Sequence, residues 1–440
     1  MRRRYLDQPY ILDAMRVLNS AAAALAWCEE RIGLDLTDGE TYEGVRGILN
    51  DVRLRGDAAL RDHTARFDGV ELDGVMVSED ELHSAESELD PALAAAIRLA
   101  ARRVEEYYQR QSEGGFVHAA GGEMLGQLVL PLASVGCYVP GGTAPLFSSV
   151  IMTAVPAKVA GVERIVIATP PQPRGDVPAE VRYAATVVGA REVLRVGGAQ
   201  AIGALAYGTA SLPRVDKVVG PGNRYVVEAK RQVFGAVGIE ALPGPTETLV
   251  VADASAAVAH VVADLLAQAE HAGATPVLVT PSFALLESVL SALPTASSAL
   301  PDPRTASDSI ERRGVAVLVA DLDEAMAVAN AFAPEHLCLL VEDPWSLVAR
   351  VRNAGGLFLG ANSLEALGDY VVGPSHVMPT GATARFSSFL NLRDFQKVVP
   401  LTFLSAATVQ RIGPAAVLMA RAEGLEAHAR AIEARLLADD

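Results

Sequence analysis

Residues 246–280 read TETLVVADASAAVAHVVADLLAQAEHAGATPVLVT and contain the pattern of a strand, a helix and a second strand. The runs at 248–251 and 276–280 are short and aliphatic, as buried strands are. The segment between them has a helical period, with an apolar stripe formed by Val258, Val261, Val262, Leu265, Leu266 and Ala269. Two strands joined through a helix form the βαβ unit of parallel sheets. The stretch therefore predicts an α/β fold.

The same alternation continues through most of the chain after a helical opening section at 13–110. The β-rich runs lie at 127–132, 164–168, 192–196, 216–219, 248–251, 276–280, 315–320, 337–342 and 356–359. Glycine- and proline-rich segments at 138–142 and 243–245 interrupt these runs, so we expect two Rossmann-like parallel-sheet domains. The predicted parts are an N-terminal helical arm at 1–30, a first domain at 31–137 and 245–390, an inserted second domain at 138–244, and a C-terminal helical tail at 391–440.

The tail has no β-rich run after Pro379, and its last helix has a narrow apolar seam. The seam consists of Leu418, Ala422, Leu425, Ala429, Ile432 and Leu436, spaced alternately by four and three residues. This spacing is that of helices which pack along a partner. Because the predicted sheets are complete before the tail begins, we expect a helical arm used in dimerisation, exchanged between the two chains of a homodimer.

The composition excludes several classes of partner. The chain has 440 residues, half of them hydrophobic, and a formal net charge of −16. A negative surface repels phosphate backbones and anionic lipid headgroups, so we expect neither a nucleic acid nor a membrane partner. No uncharged apolar run reaches the roughly 18 residues of a membrane span. The three cysteines are far apart in sequence, and with no export signal visible we expect a cytoplasmic protein.

Two local motifs combine residue types that are common in active sites. Gln268 and His271 are one helical turn apart and could bind a metal, although a solvated or capping histidine fits the same pattern. Glu335 and His336 follow Pro334 at the start of a β-rich run. An adjacent carboxylate and imidazole suit general acid-base chemistry, and an ordinary surface turn is the alternative.

Two further histidines lie near carboxylates. Asp369 and His376 are in a loop rich in glycine and proline, where Asp369 could be a metal ligand or a turn residue. His428 flanks the seam of the last helix, five residues after Glu423, and an exposed helix surface explains both equally well.

Three glycine turns could hold a phosphate. They are the glycine pairs at 141–142 and 197–198 and the sequence GPGN at 220–223, and each follows a β-rich run and precedes a helical segment. A strand, a glycine turn and a helix place main-chain N–H groups around a phosphate, but purely structural turns have the same sequence.

Taken together, the motifs resemble the histidinol dehydrogenase family in order and spacing over nearly the whole chain. The motifs are CYVPGG at 137–142, GGAQAI at 197–202, GPGN at 220–223, EAKR at 228–231, QAEH at 268–271, PEHL at 334–337 and GDY at 368–370. The resemblance implies oxidation of L-histidinol to L-histidine through the aldehyde, the last steps of histidine biosynthesis. It also implies two NAD per turnover, one Zn²⁺ per active site and a homodimer with swapped tail helices.

The resemblance assigns roles to single residues. His336 is expected to be the base for the alcohol proton, and Glu335 is expected to activate the water that attacks the aldehyde. The implied zinc ligands are Gln268, His271, Asp369 and His428 of the partner subunit. The implied substrate contacts are Thr246, Gln268, His271, His336, Asp369, His376, Glu423 and His428. The implied dinucleotide contacts are Tyr138, Gln200 and Asn223, on the inserted domain.

Some positions depart from the family pattern, and two other functions stay open. The departures are Glu240, Pro243, Thr246, the segment 272–275 and the valines 398–399. One alternative is a relative that oxidises another polyol, such as a sulfonated propanediol. Against it, the carboxylate of Glu423 suits the ammonium group of histidinol and repels a sulfonate. The other alternative is a protein that binds zinc or a nucleotide without catalysis.

Overall fold

The computed structural model describes residues 11–12, 15–31, 39–111, 114–141 and 145–436. Three predicted segments extend beyond this range. They are the N-terminal arm, with residues 1–10, the glycine turn at 141–142, with Gly142, and the C-terminal tail, with its last four residues. The strands are β1 (Ile11–Leu12), β2 (Met15–Leu18), β3 (Phe116–Ala120), β4 (Glu123–Pro131), β5 (Ser134–Tyr138), β6 (Arg164–Ala168), β7 (Glu192–Leu194), β8 (Lys217–Val219), β9 (Gly238–Ile239), β10 (Glu247–Ala252), β11 (Thr275–Thr280), β12 (Val315–Leu318), β13 (His336–Leu340), β14 (Gly356–Leu359) and β15 (Gln396–Leu404).

Seventeen α-helices lie within the described residues. They are α1 (Ala21–Arg31), α2 (Gly39–Arg55), α3 (Asp57–Asp68), α4 (Glu79–Ser84), α5 (Pro91–Gln109), α6 (Ser148–Val159), α7 (Ala179–Val188), α8 (Gly198–Tyr207), α9 (Arg224–Val233), α10 (Val258–Ala269), α11 (Phe283–Ser298), α12 (Pro303–Arg313), α13 (Leu322–Phe332), α14 (Trp345–Val348), α15 (Glu365–Gly368), α16 (Ala406–Ala422) and α17 (Glu426–Leu436). None of the described helices is long and apolar enough to cross a membrane.

A seven-stranded sheet is built around β10. Its order is β1-β2-β12-β11-β10-β13-β14, and all neighbours are parallel except β1 and β2. Successive residues of each strand point to opposite faces of the sheet and pack into two separate apolar cores. One core is covered by α10, α11 and α12 and the other by α1 and α13. Because both faces are covered, the central strands are apolar throughout, and this is why 248–251 and 276–280 are recognisable in the sequence.

A five-stranded parallel sheet has the order β7-β6-β5-β8-β9. The apolar core on one of its faces includes residues of α2, α3, α8 and α9. The two parallel sheets confirm the predicted α/β fold class. The central strand β5 was not among the predicted strands, because its sequence SVGCY contains a glycine and a serine and has only a short aliphatic run.

The prediction that strands stop after residue 379 is wrong. β15 pairs with β4 along nine residues, and the order β15-β4-β3 forms an antiparallel sheet. Pro400 lies within β15, which is tolerated because β15 is an edge strand of this sheet and proline lacks only the N–H donor. The run predicted at 127–132 belongs to this antiparallel sheet and not to a parallel one. Valines 398–399, a departure from the family pattern, lie in β15, where β-branched residues are favourable.

The chain divides into two compact units. The first comprises residues 1–110 and 133–395 and contains both parallel sheets, and the second comprises 111–132 and 396–440. In the second unit, α16 and α17 pack together through Val417, Ala420 and Ala429. The predicted N-terminal arm contains, in its described part, strand β2 paired with β12, followed by α1. The predicted domain boundaries stay a prediction.

Candidate active site

The side chains of interest in the seven-stranded sheet lie at the amino ends of its central strands. Glu247 is the first residue of β10 and His336 is the first residue of β13, with Glu335 directly before it. β10 and β13 are neighbours, and Thr248 lies opposite His336. The chain enters β13 through Ala333, which has a left-handed backbone (φ 52°), and Pro334. This rigid turn places Glu335 and His336 beside Glu247.

His336 is held in one tautomer. Its side chain is 4% exposed, and Nδ1 lies 3.1 Å from the main-chain oxygen of Glu247. A carbonyl oxygen only accepts hydrogen bonds, so Nδ1 carries the proton of the neutral ring and Nε2 has the lone pair. Nε2 is buried and has no hydrogen-bond partner among the described residues. Burial lowers the pKa of His336, against the opposing effect of Asp369, so the ring is an unprotonated base near neutral pH.

Glu335 is a buried carboxyl group held by its neighbours. Its Oε2 accepts the main-chain N–H of Glu247 at 3.0 Å and lies 2.6 Å from Oγ1 of Thr246. Burial raises the pKa of Glu335 well above its ordinary value, and the hydrogen bonds from Thr246 and Glu247 only partly offset this. A carboxyl group of raised pKa can take a proton near neutral pH, as general acid-base chemistry requires.

Thr246 connects this carboxyl group to Gln268. Its Oγ1 lies 2.7 Å from Oε1 of Gln268, a buried side chain at the end of α10. A hydroxyl group has one proton and cannot donate to both Glu335 and Gln268. When Glu335 is protonated, its O–H donates to Thr246 and the hydroxyl of Thr246 donates to Gln268, which satisfies all three groups.

Sequence reasoning missed Glu365, the first residue of α15. It is 1% exposed, accepts a hydrogen bond from Oγ1 of Thr248 at 2.9 Å, and has one oxygen 3.9 Å from Nδ1 of His336. Burial raises the pKa of Glu365 to about 8. Thr248, His336 and Cys338 meet this carboxyl group because residues of even number in β10 and β13 face the same side of the sheet. In the sequence Glu365 is an ordinary helix-start glutamate, and no local signal marks it as buried.

The structure brings the predicted metal ligands of the first unit into one neighbourhood. Gln268 is linked to Glu335 through Thr246, and His271 and Asp369 both lie close enough to His336 to influence its pKa. His376 lies with its Nδ1 3.8 Å from Oδ1 of Asp369 and its Nε2 3.3 Å from Oγ of Ser149, at the start of α6. The described residues contain no group of three His, Cys, Asp or Glu side chains placed to bind a metal ion.

The two remaining predicted site residues, a substrate contact and a metal ligand, are in the second unit. Glu423 directly follows α16 and His428 lies in α17, and both side chains are exposed. Their predicted role in the site of a partner subunit stays a prediction.

The predicted dinucleotide contacts lie at the carboxyl ends of the five-stranded sheet. Tyr138 ends β5, and its hydroxyl accepts the N–H of Gly198 at 3.0 Å. Gln200 is buried in α8, and Oδ1 of Asn223 caps α9 by accepting two main-chain N–H groups at 3.0 and 3.1 Å. These contacts build the glycine turns, and their role in binding a dinucleotide stays a prediction.

Comparison with known proteins identifies the family. The sequence model of histidinol dehydrogenases matches residues 35–436. The chain belongs to the histidinol dehydrogenase family. It is 56% identical to a histidinol dehydrogenase of Deinococcus radiodurans, with 94% of each chain covered, and 50% identical to that of Thermus thermophilus, with 90% of this chain and 95% of the relative covered. The crystal structure of a histidinol dehydrogenase from Elizabethkingia anophelis superposes with a TM-score of 0.87 at 34% identity, covering 91% of this chain and 93% of that one.

Family membership confirms the predicted resemblance and the predicted enzyme class, an oxidoreductase of the histidinol dehydrogenase type. The roles of single residues, the zinc and the dimer stay predictions.

The departure at Glu240 has a structural explanation. Its carboxylate forms a buried ion pair with Lys230, at 2.6 Å, and accepts the N–H of Gly220 at 2.8 Å. Lys230 in turn donates to the carbonyl oxygen of Gly220 at 2.9 Å. Gly220 has φ 116°, and a Cβ there would lie 2.1 Å from the carbonyl oxygen of Tyr138. In this histidinol dehydrogenase family member the ion pair thus holds both sides of a turn that only glycine can form.

Proposed function

We propose that the protein catalyses the zinc- and NAD-dependent four-electron oxidation of L-histidinol to L-histidine through L-histidinal. The observation that carries the proposal is the buried pair of Glu335 and His336, in which main-chain contacts to Glu247 orient both side chains. Family membership supports the substrate, and the raised and lowered pKa values of the two groups suit them to proton transfer.

In the first half-reaction, Nε2 of His336 takes the proton of the alcohol. Its lone pair is available because Nδ1 carries the ring proton, which is bonded to the carbonyl of Glu247. A bound dinucleotide would supply the acceptor for the hydride that leaves the alcohol carbon. The buried surroundings of His336 exclude water and keep the ring neutral before it acts.

In the second half-reaction, the ionised form of Glu335 takes a proton from the water that attacks the aldehyde. A second hydride then leaves the hydrated carbon. In total, one alcohol and one water yield one carboxylate, two hydrides and three protons, so each histidine formed requires two NAD. Water activation by a carboxylate is favoured when burial raises its basicity, as at Glu335.

The donor set of Gln268, His271 and Asp369 fits a zinc ion. It offers an amide oxygen, an imidazole and a carboxylate, which are hard or borderline ligands of the kind that zinc binds. His428 of the partner subunit would complete the set in a homodimer with swapped tails. When bound, the zinc would supply Lewis-acid contacts that orient the imidazole and amine of the substrate.

We place the enzyme in the cytoplasm, which suits three buried free cysteines.

The test is a stoichiometric assay with purified protein, L-histidinol and NAD. We expect two NADH per histidine, loss of activity with a chelator and recovery with Zn²⁺. One NADH with release of the free aldehyde would contradict the role of Glu335. Activity on a sulfonated propanediol without activity on histidinol would overturn the substrate.

Ligand exchange between subunits has its own test. A mixed dimer of one Asp369→Ala chain and one His428→Ala chain retains one intact site if the tails are swapped, whereas each homodimeric variant retains none. We expect the mixture to recover about half of the wild-type sites in heterodimers. An inactive heterodimer would contradict the swapped arrangement.

A further inference from the structure

Glu247 contacts both members of the catalytic pair through its main chain. Its N–H donates to Oε2 of Glu335 at 3.0 Å, and its carbonyl oxygen accepts from Nδ1 of His336 at 3.1 Å. The peptide groups of a single residue therefore set the orientation of Glu335 and the tautomer of His336. A small rotation of these peptide groups would release both side chains at once.

The side chain of Glu247 points to the opposite face of the sheet from Thr248, toward α1 and α13. There it forms an ion pair with Arg31, the last residue of α1. The side chain of Glu247 is 6% exposed and that of Arg31 is 19% exposed. A charge pair with so little water around it is held more firmly than an exposed pair, because the alternative is a desolvated single charge.

Arg31 also contacts the segment that leads into Glu335. Its guanidinium lies over the ring of Phe332, 3.8 Å from the ring centroid. Phe332 is fully buried and is followed by the strained Ala333 and by Pro334. One guanidinium thus touches β10, whose main chain holds the catalytic pair, through Glu247, and α13, which leads into Glu335, through Phe332.

We infer that Arg31 is a positioning residue whose guanidinium anchors Glu247, so that the main chain of Glu247 holds Glu335 and keeps His336 in its Nδ1-protonated tautomer. Arg31 does not touch the reacting groups. Its effect on turnover rests on the proposed function, whereas its effect on the tautomer does not.

The test compares Arg31→Met with Arg350→Met. Arg350 pairs with Asp323 beyond the carboxyl ends of the same sheet and serves as the control for loss of an ion pair. For Arg31→Met we expect kcat to fall on the order of 10- to 100-fold, with KM for histidinol and zinc content unchanged, since small displacements of catalytic groups cost rate more than binding. Arg31→Lys, which keeps the charge, is expected to recover part of kcat.

A second readout needs no turnover. In protein labelled with ¹⁵N at its eight histidines, the signals of His336 are assigned by their absence in His336→Asn. We expect the wild type and Arg350→Met to show one tautomer at His336 and Arg31→Met to show a mixture. An unchanged tautomer together with a kcat equal to that of Arg350→Met would overturn the inference. If wild-type protein did not oxidise histidinol, the proposed function would fail, and the tautomer measurement would still decide the role of Arg31.

The double variant Arg31→Met/Glu247→Gln separates positioning from stability. It removes both charges, so we expect the thermal midpoint to return toward that of the wild type. We also expect kcat to stay low, because the main chain at position 247 is no longer anchored by an ion pair with residue 31. Recovery of kcat along with the thermal midpoint would reduce Arg31 to a structural residue and overturn the inference.

Discussion

The two edges of the seven-stranded sheet differ in how their polar groups are satisfied. At the amino edge, Glu335 and His336 are buried with raised and lowered pKa values. At the carboxyl edge, Asp253 accepts the N–H groups of Ser255 and Glu342, and Asp321 caps α13. Ligands of open α/β sheets usually bind at the carboxyl edge. Here the helix caps and turns use the polar groups of that edge, and the groups suited to chemistry lie at the amino edge.

The five-stranded sheet has its glycine turns at the edge where ligands of such sheets usually bind. Its glycine turns lie at the carboxyl ends of β7 and β8, where α8 and α9 begin. In these two sheets, burial and hydrogen-bond partners separate the structural polar groups from those suited to chemistry. The position of a polar group in the topology does not separate them.

The largest effect is expected at the amino edge. His336→Asn or Glu335→Gln should lower turnover by about 10²- to 10⁴-fold, because each removes a proton acceptor. Steady-state kinetics with histidinol measure the loss, and with Glu335→Gln the aldehyde should accumulate. Asp321→Asn at the carboxyl edge is the control and should keep wild-type turnover. Equal losses at both edges would refute the contrast.

The next effect concerns the buried ion pair of Lys230 and Glu240. Lys230→Met leaves a buried carboxylate without its cation, and we expect a loss of about 3–5 kcal/mol in the free energy of unfolding. Urea denaturation measures this. The double variant Lys230→Met/Glu240→Gln removes both charges and should lose less. If the single and double variants were equally stable, the pair would not be an important determinant of this turn.

A smaller effect is the pH dependence of stability at the amino edge. Glu365 has a pKa of about 8 in the folded protein, above the roughly 4.3 of an unfolded chain, so the folded state binds this proton more tightly. Stability from this group is therefore present at low pH and is lost as pH rises toward its folded pKa. Glu365→Gln cannot ionise and should gain stability relative to the wild type as pH rises from about 4 to about 8, with no further gain above the folded pKa.

Thermal unfolding of metal-free protein across this pH range tests the prediction. The difference in stability between Glu365→Gln and the wild type should grow with pH. A difference that stayed constant would mean that Glu365 is ionised in the folded protein throughout.

The smallest effect is expected for a helix cap. Asp321→Ala removes the side-chain acceptor of two N–H groups at the start of α13 and should cost about 1 kcal/mol of stability. Turnover measured at a temperature well below unfolding should not change. A loss of turnover would show that the carboxyl edge takes part in catalysis.

Much of this candidate site could be predicted from the local sequence. Glu335 and His336 follow a proline at the start of an apolar run, and Gln268 and His271 lie one turn apart at a helix end, so spacing alone made them candidates. Glu365 could not be predicted in this way, because the folded chain buries its side chain against Thr248 of β10 and Cys338 of β13. The strand β15 was missed since Pro400 is a strand breaker except at a sheet edge.

The amino-acid pattern was sufficient for the α/β class, the two parallel sheets and the family, because aliphatic periodicity and glycine turns are local properties of the chain. The tautomer of His336, the raised pKa of Glu335 and the anchoring of Glu247 by Arg31 required the folded chain. These properties depend on desolvation and on contacts between residues far apart in sequence, such as those of Glu247 with Arg31 and with His336, and the packing of helices on the sheet brings those residues together.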